Sequence, residues 1–380
     1  MLAIGIVGSN SLALGPIAAT VASSFQGVGA SDVMIASACF GFGTAISALA
    51  LAPKADNFGL VRSLKLSLVI LLIGFAISAI APMFWLLCIG QTLAGIASGV
   101  ALPCTYGLAA DLAETGKENE TLGKVLLGWT LSMVAGVSAA AFIAEVWHWR
   151  WVYLLLTLSA WAVLLCIPKP DNTETTRAPL SAPQSQSPWH ALRLPGVAAA
   201  LGSVTLFMAA FYGVYGFLGT HVNLALSATP STAGFASMLY GVGFGLAVFL
   251  DKFMDQFGAI KSRAVVFFIL VLNYLVIAVV STGITPLLIL CLIWGANNHL
   301  GLNLLVAHLT ALQPTRRAAV MGLYSAITYL TMFLATLAFK VLFDTQGFKI
   351  VSIAAALCIL PVALNAMFNA ARFSKGPNSA

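Results

Sequence analysis

Charge is what this chain has least of. Eighteen Lys and Arg and twelve Asp and Glu make up 8% of its 380 residues, where a soluble domain carries roughly 25%. A chain so poor in charge cannot present a water-compatible surface, which excludes a soluble enzyme or a free binding module. Cysteine is scarce and unpatterned. Cys39, Cys88, Cys104, Cys166, Cys291 and Cys358 all fall inside apolar runs with no C-x-x-C spacing, so they read as small core residues, not disulfides or metal ligands. No Walker loop, zinc motif or catalytic triad is found, so neither enzymatic chemistry, a cofactor nor a metal is expected. A basic leader is missing too: the chain opens on MLAIGIVGSNSLALGPIAATVASSF, which reads as a first membrane helix, not a signal peptide.

What the sequence has is apolar length. It is 60% apolar with a mean hydropathy of +0.97, in runs of about 20 residues, the length a helix needs to cross roughly 30 Å of hydrocarbon. Barrel strands would be about half as long and would alternate in polarity. Twelve such runs lie at about 2–24, 32–52, 64–82, 84–110, 124–146, 149–167, 196–220, 231–250, 264–281, 286–312, 318–343 and 347–370. The chain thus reads as an all-α membrane protein of two six-helix bundles, 1–167 and 196–380, joined by a polar Pro/Ser/Thr/Gln-rich linker at 168–195 that has no means of packing a core.

The net charge of +6 points to the positive-inside rule and not to nucleic acid. With the N-terminus inside, fifteen of eighteen Lys and Arg fall on the cytoplasmic side, leaving Arg150, Lys340 and Lys349 outside. Both termini and the linker are therefore expected in the cytoplasm. Trp85, Trp147, Trp149 and Trp151 are expected at the outer interface.

One phrase occurs twice. Asp56–Arg62 reads DNFGLVR and Asp255–Lys261 reads DQFGAIK, 199 residues apart, and the same offset pairs Gly123 with Gly322 and Arg150 with Lys349 without a gap. Two parallel repeats of one six-helix design are implied, an arrangement in which the halves rock about a site near the midplane.

These features resemble the major facilitator superfamily along essentially the whole chain. The loop after the second helix is similar to that family's G-x-x-x-D-R-x-G-R-R signature: Asp56 and Gly59 match, Ala52 stands for the Gly, Asn57 for the first Arg, and Arg62 is displaced. HWRWVYLL, ending at Leu155, resembles the GWRWV run of the drug:proton antiporter branch. The departures are Gln91 in QTLAG, where R-x-x-Q-G has its Arg, and Ser138 in AGVSAAAF, where the antiporter motif has Pro. The resemblance implies that Asp56 and Asp255 sit beside helix termini of the opposite half. Gly59, Arg62, Gly258 and Lys261 would complete an interlock of the cytoplasmic ends. The alternative is a tight turn with positive φ at the two glycines. Ser132, Gly136 and Ala140, spaced by four, read as helix packing.

All twelve carboxylates lie in loops or at helix ends, and no Lys or Arg lies mid-membrane. That argues against a pump for organic cations and against a strongly anionic substrate. Neutral polarity remains, densest in WGANNHLGLNLLVAH of the tenth segment. At 100° per residue Asn303 is about 40° from His299, whereas Asn297 is about 160° away. The resemblance implies that the first, fourth, seventh and tenth helices line the cavity, which nominates Asn10, Gln91, Tyr212, Tyr215, Asn298, His299 and Asn303 for substrate binding. His299 is the ionisable side chain best placed to couple a proton, with Asp32 or Glu145 as peripheral alternatives. The expectation is a monomeric secondary transporter of the bacterial inner membrane. It would export a small neutral or zwitterionic, partly apolar compound (drug, nucleoside or sugar-like) against protons by alternating access. An uptake permease or uniporter, or a non-transporting receptor, are the rivals.

Overall fold

Apolar segments in lipid must satisfy every backbone N–H and C=O internally, and a helix does so within one segment. The computed structural model describes residues 1–113, 118–167, 192–312 and 317–374, and these are helical with no strand among them. The first bundle is built from Leu2–Ala22, Met34–Ala50, Leu60–Ile80, Phe84–Asp111, a fifth span running from Glu118 to Val146, and Trp149–Cys166. The second comprises Val197–Leu224, Pro230–Leu246, Ala259–Val280, Ile284–Leu312 and the continuous stretch Arg317–Ser374. That last stretch is two helices, broken where Gly347 takes φ 77 and ψ 179. Ten segments are long and apolar enough to cross a membrane, one of them this broken pair, and Met34–Ala50 is a shorter apolar helix. Counted as spans one to twelve, they form two pseudo-symmetric six-helix bundles. Of the expected linker, residues 168–191 lie outside the described residues.

Twelve crossings return the chain to the face where it began, here called the terminal face; the other is the far face. A helix of seven residues precedes the third span in each bundle, Ala52–Phe58 and Asp251–Phe257, and each ends on a glycine of nearly identical backbone: φ 94, ψ 132 at Gly59 and φ 83, ψ 138 at Gly258. The hydroxyls of Ser63 and Ser262 then donate back to the carbonyls of Ala55 and Met254. The repeated phrase is a repeated structure.

The helix crossings show the repeat with a different register. A Cβ on Gly43 would meet the Thr92 carbonyl, and one on Gly95 the Phe40 carbonyl; on Gly243 and Gly295 it would meet those of Leu292 and Tyr240. These pairs are offset by 200, not 199, so the gapless repeat expected from sequence slips by one residue. Between span eight and Gly258 the offset falls from 200 to 199, where Ala247–Leu250 winds as a 3-10 helix, and it is 200 again in span ten. The 3-10 rise of about 2.0 Å per residue, against about 1.5 Å for an α-helix, covers the same length with one residue fewer.

In the fifth span Ser132–Gly136 forms a π-helical turn. Ser132 sits against Gly8 and Gly136 against Ser9, so this small-residue stripe packs the fifth span on the first. Trp85, Trp147 and Trp151 are exposed, but Trp149 is fully buried. Its indole donates to the Ser24 hydroxyl and lies under the Arg150 guanidinium, whose Nη2 donates to the Ala81 carbonyl. The HWRWV run thus staples the sixth span to its neighbours, and Trp149 is not an interface residue.

Candidate functional site

The bundles meet where span one packs on spans seven and eight, span two on eleven, and span five on eight. Small residues allow this: a side chain on Gly219 would strike the Gly15 carbonyl, and one on Gly41 the Tyr329 carbonyl. Between the bundles lies a narrow cavity of about 10 Å³ lined by residues of both, including Ser11, Ser37, Tyr212, Tyr215, Met332 and Thr336. That is room for about one water molecule. The lining is neutral throughout, hydroxyls and thioethers beside aromatic rings.

Behind Tyr215 stands an aromatic wall. Ring centroids of Tyr215 and Tyr240 are 5.4 Å apart, and those of Tyr240 and Trp294 4.7 Å. Asn298 Nδ2 donates to the Tyr240 hydroxyl at 2.9 Å, while Asn298 Oδ1 is buried without a protein partner. On the other side, Asn10 Nδ2 donates to Gln91 Oε1 at 3.0 Å and Gln91 Nε2 to the Ser78 hydroxyl at 3.1 Å. Gln91 is fully buried, and Asn10 Oδ1 has no protein partner.

The structure therefore divides the seven nominated binding residues. Tyr212 and Tyr215 line the cavity, Asn10 and Gln91 form a buried amide pair, and Asn298 joins the aromatic wall. His299 and Asn303 face elsewhere. His299 Nε2 is 3.2 Å from Asp251 Oδ2, Asn303 Nδ2 donates to the same oxygen at 3.1 Å, and Asn303 and His299 are 3.0 Å apart. The shared face of His299 and Asn303 is seen; its partner Asp251 was not anticipated. Asp251 does lie at a helix start, as every carboxylate was placed by counting, yet its side chain turns in along span ten. One signal was available: the repeat puts the apolar Ala52 opposite it.

Among the described residues four polar contacts are seen to cross between the bundles, all toward the far face. Asn223 Nδ2 donates to the Pro16 carbonyl and Ser138 Oγ to that of Gly234. Lys340 Nζ lies 2.7 Å from Asp32 Oδ1 and 2.6 Å from Asp344 Oδ2. Glu145 Oε2 accepts the Ser231 N–H at 2.7 Å, in the first turn of span eight. Asp32 and Ser231 hold matching places in the repeat to within a residue, as do Glu145 and Asp344. The far face is thus fastened by two related latches, one ionic and one a carboxylate at a helix N-terminus. At the terminal face, Arg62 is half-buried and Lys261 exposed. The side chains of Asp56 and Asp255 lie outside the described residues. The short helix Ala52–Phe58 packs on spans two, three and four, and Asp251–Phe257 on the end of span eight and on span nine, each within its own bundle.

Against known proteins, the sequence profile of the Major Facilitator Superfamily matches residues 1–370. The chain belongs to the major facilitator superfamily. It is similar to the "Uncharacterized MFS-type transporter YwfA" of Bacillus subtilis, 26% identical over 94% of this chain and 88% of that protein. It is also similar to the "Inner membrane transport protein YdhP" of Escherichia coli K12, 24% identical over 59% and 57%. A third relative is the "Probable sugar efflux transporter" of Pasteurella multocida, 20% identical over 81% and 74%. As a member of this superfamily the chain is a multi-pass membrane transporter. Transporters of this superfamily bind small-molecule substrates.

Proposed function

We propose that this chain is a monomeric, proton-driven exporter of a small neutral or zwitterionic, partly apolar compound, working by alternating access in a bacterial inner membrane. Residues 1–167 and 196–380 are the rocking units, with both termini and the 168–195 linker cytoplasmic. The observation that carries this reading is the uncharged, hydroxyl- and aromatic-lined cavity between bundles latched at the far face. A ligand with an apolar face and a few hydrogen-bonding groups suits Tyr212, Tyr215 and the free amide oxygens of Asn10 and Asn298; a fixed charge finds no counter-ion there. The repeated loops, with Asp56, Gly59, Arg62, Asp255, Gly258 and Lys261, interlock the terminal face in the opposite state of the cycle. The name of the Pasteurella relative, a probable sugar efflux transporter, points the same way.

Uptake or uniport is the second reading, favoured by Gln91: where the resembled motif has an Arg, this chain has an amide fully engaged by Asn10 and Ser78. Phenicols, nucleosides and sugars screened by thermal shift on purified protein, followed by flux of the hits in proteoliposomes, separate the readings. Accumulation of a hit against an imposed pH gradient supports export. Counterflow indifferent to the gradient means uniport, and binding without flux means a receptor.

A further inference from the structure

The register of the helix crossings also marks what the two bundles do not share. At the offset of 200, His299 and Asn303 correspond to Gly99 and Pro103, and Asp251, past the 3-10 turn where the offset is 199, corresponds to Ala52. In the first bundle Gly99 lets span four rest on span two, against Ser47, the Thr44 carbonyl and Ala48. An imidazole cannot occupy so close a crossing. In the second bundle span eight departs into the 3-10 turn Ala247–Leu250, and Asp251 follows it. The same crossing is thus built elsewhere in this molecule from an alanine, a glycine and a proline, so the frame itself does not require the polar triad.

His299 is 7% exposed, and its Nδ1 is buried with no partner. Its ring meets Phe244 edge-on, with centroids 4.8 Å apart. An apolar cluster of Ala247, Val266, Leu300, Met254, Ala296 and Leu304 lies in the same region, where spans eight, nine and ten meet. His299 Nε2 is within hydrogen-bond distance of both Asp251 Oδ2 and Asn303 Nδ2, and as a neutral ring the imidazole keeps one nitrogen lone pair able to take a proton. The Asp251 side chain is 36% exposed, giving the cluster a route to water.

We propose that Asp251, His299 and Asn303 form a proton-binding site confined to the second bundle and reached from the terminal face. This rests on the proton-driven reading above and names the group that takes the proton. The proton adds to the free lone pair of the neutral ring; no bond breaks, and the neutral imidazole beside a carboxylate becomes an imidazolium–carboxylate pair, so no uncompensated positive charge is buried. Asn303 holds the carboxylate in place in both states. Other charged groups near the triad are few. Arg263 on span nine lies by His308, further along span ten, Lys252 and Lys261 are exposed, and the Asp255 side chain is outside the described residues. Asp32 is a poor competitor, because the Lys340 ammonium beside it holds its carboxyl below the usual carboxylate range.

The test needs no substrate. Histidine side-chain NMR of the full chain in nanodiscs is recorded from about pH 5 to 9, with His299→Gln assigning the resonance. The His299 signal is expected to titrate in this range, and Asp251→Asn to move its midpoint by about half a unit or more while His148 and His221 stay put. Superimposable curves in wild type and Asp251→Asn, or no titration at all, overturn the site. In proteoliposomes, a transported hit should lose gradient-driven accumulation at least tenfold in both His299→Gln and Asp251→Asn while keeping counterflow. Gradient-driven flux surviving both substitutions also overturns it. A wild type without any gradient-driven flux removes the function proposed above, and the site then stands or falls on the titration alone.

Discussion

Gly59 and Gly258 hold the same left-handed backbone at the same point of each repeat, and the sequence announced both through the doubled D-x-F-G phrase. The turn reading of these glycines is visible in the fold; the interlock reading of the neighbouring acids depends on a state with the terminal face closed. Adding a Cβ at positive φ costs about 1–2 kcal/mol, so Gly258→Ala should lower the melting temperature although nothing lies within 4 Å of the new atom. Gly202 is equally open but α-helical. Gly202→Ala should therefore be neutral or stabilise by up to about 1 kcal/mol, and equal losses in the two variants would remove the backbone argument. Gln91 is a second residue whose role follows from its partners. Gln91→Leu strands the buried Asn10 amide, at a cost of about 1–3 kcal/mol. Asn10→Leu combined with Gln91→Leu should recover part of it, measured by thermal unfolding of the three variants.

At the scale of helices, the hydropathy pattern foretold the number and order of spans well, because length and apolarity alone decide what can cross a bilayer. What it could not carry was winding. A 3-10 turn changes the register by a residue without changing composition, and the gapless 199 repeat overlooked it. The same blindness hid Asp251. A carboxylate just past an apolar run counts as a loop residue in one dimension, yet a tightened turn swings it back against span ten. Tyr212 and Tyr215 reached the cavity because a helical face can be counted from spacing; Asn298 and His299 are adjacent in sequence and so point to different neighbours. The crossings themselves are testable. Gly95→Val and Gly295→Val each drive a side chain into a facing carbonyl, so both should cut the amount of folded protein in the membrane severalfold. Asp56→Asn should instead leave abundance near normal and lower transport, read by immunoblot and flux on the same vesicles.

For the whole molecule, the decisive feature is that the bundles are fastened at one face by contacts of different kinds. Lys340→Gln removes the ionic latch and should raise the reactivity of a cysteine placed at Ser37 toward a water-soluble thiol reagent added on the far face, by about threefold or more. Unchanged reactivity would mean that packing alone keeps that face shut. The sign of the pH effect follows from Asp32. Its carboxyl titrates below the ordinary value of 3.8 in the latched form, so the latch is at full strength above that value and is lost as pH falls through the lower, latched one. Accessibility should accordingly be flat from about pH 6 to 8, the range in which an unperturbed imidazole changes charge. Reporter fusions after Arg177 and after Lys375 check the orientation assumed for both faces, and an exported reporter at either place would invert it.

The unequal latches also give the molecule a sense of its surroundings that neither bundle has alone. Lys340 bridges the half-buried Asp32 and the exposed Asp344 in a direct ionic contact near the surface, which dissolved ions weaken. Glu145 on the Ser231 amide is a hydrogen bond to the partial charge of a helix end, and with no full opposite charge involved it should yield less to salt. A change of ionic strength at the far face should therefore loosen one edge of the closed state more than the other, whatever the cargo.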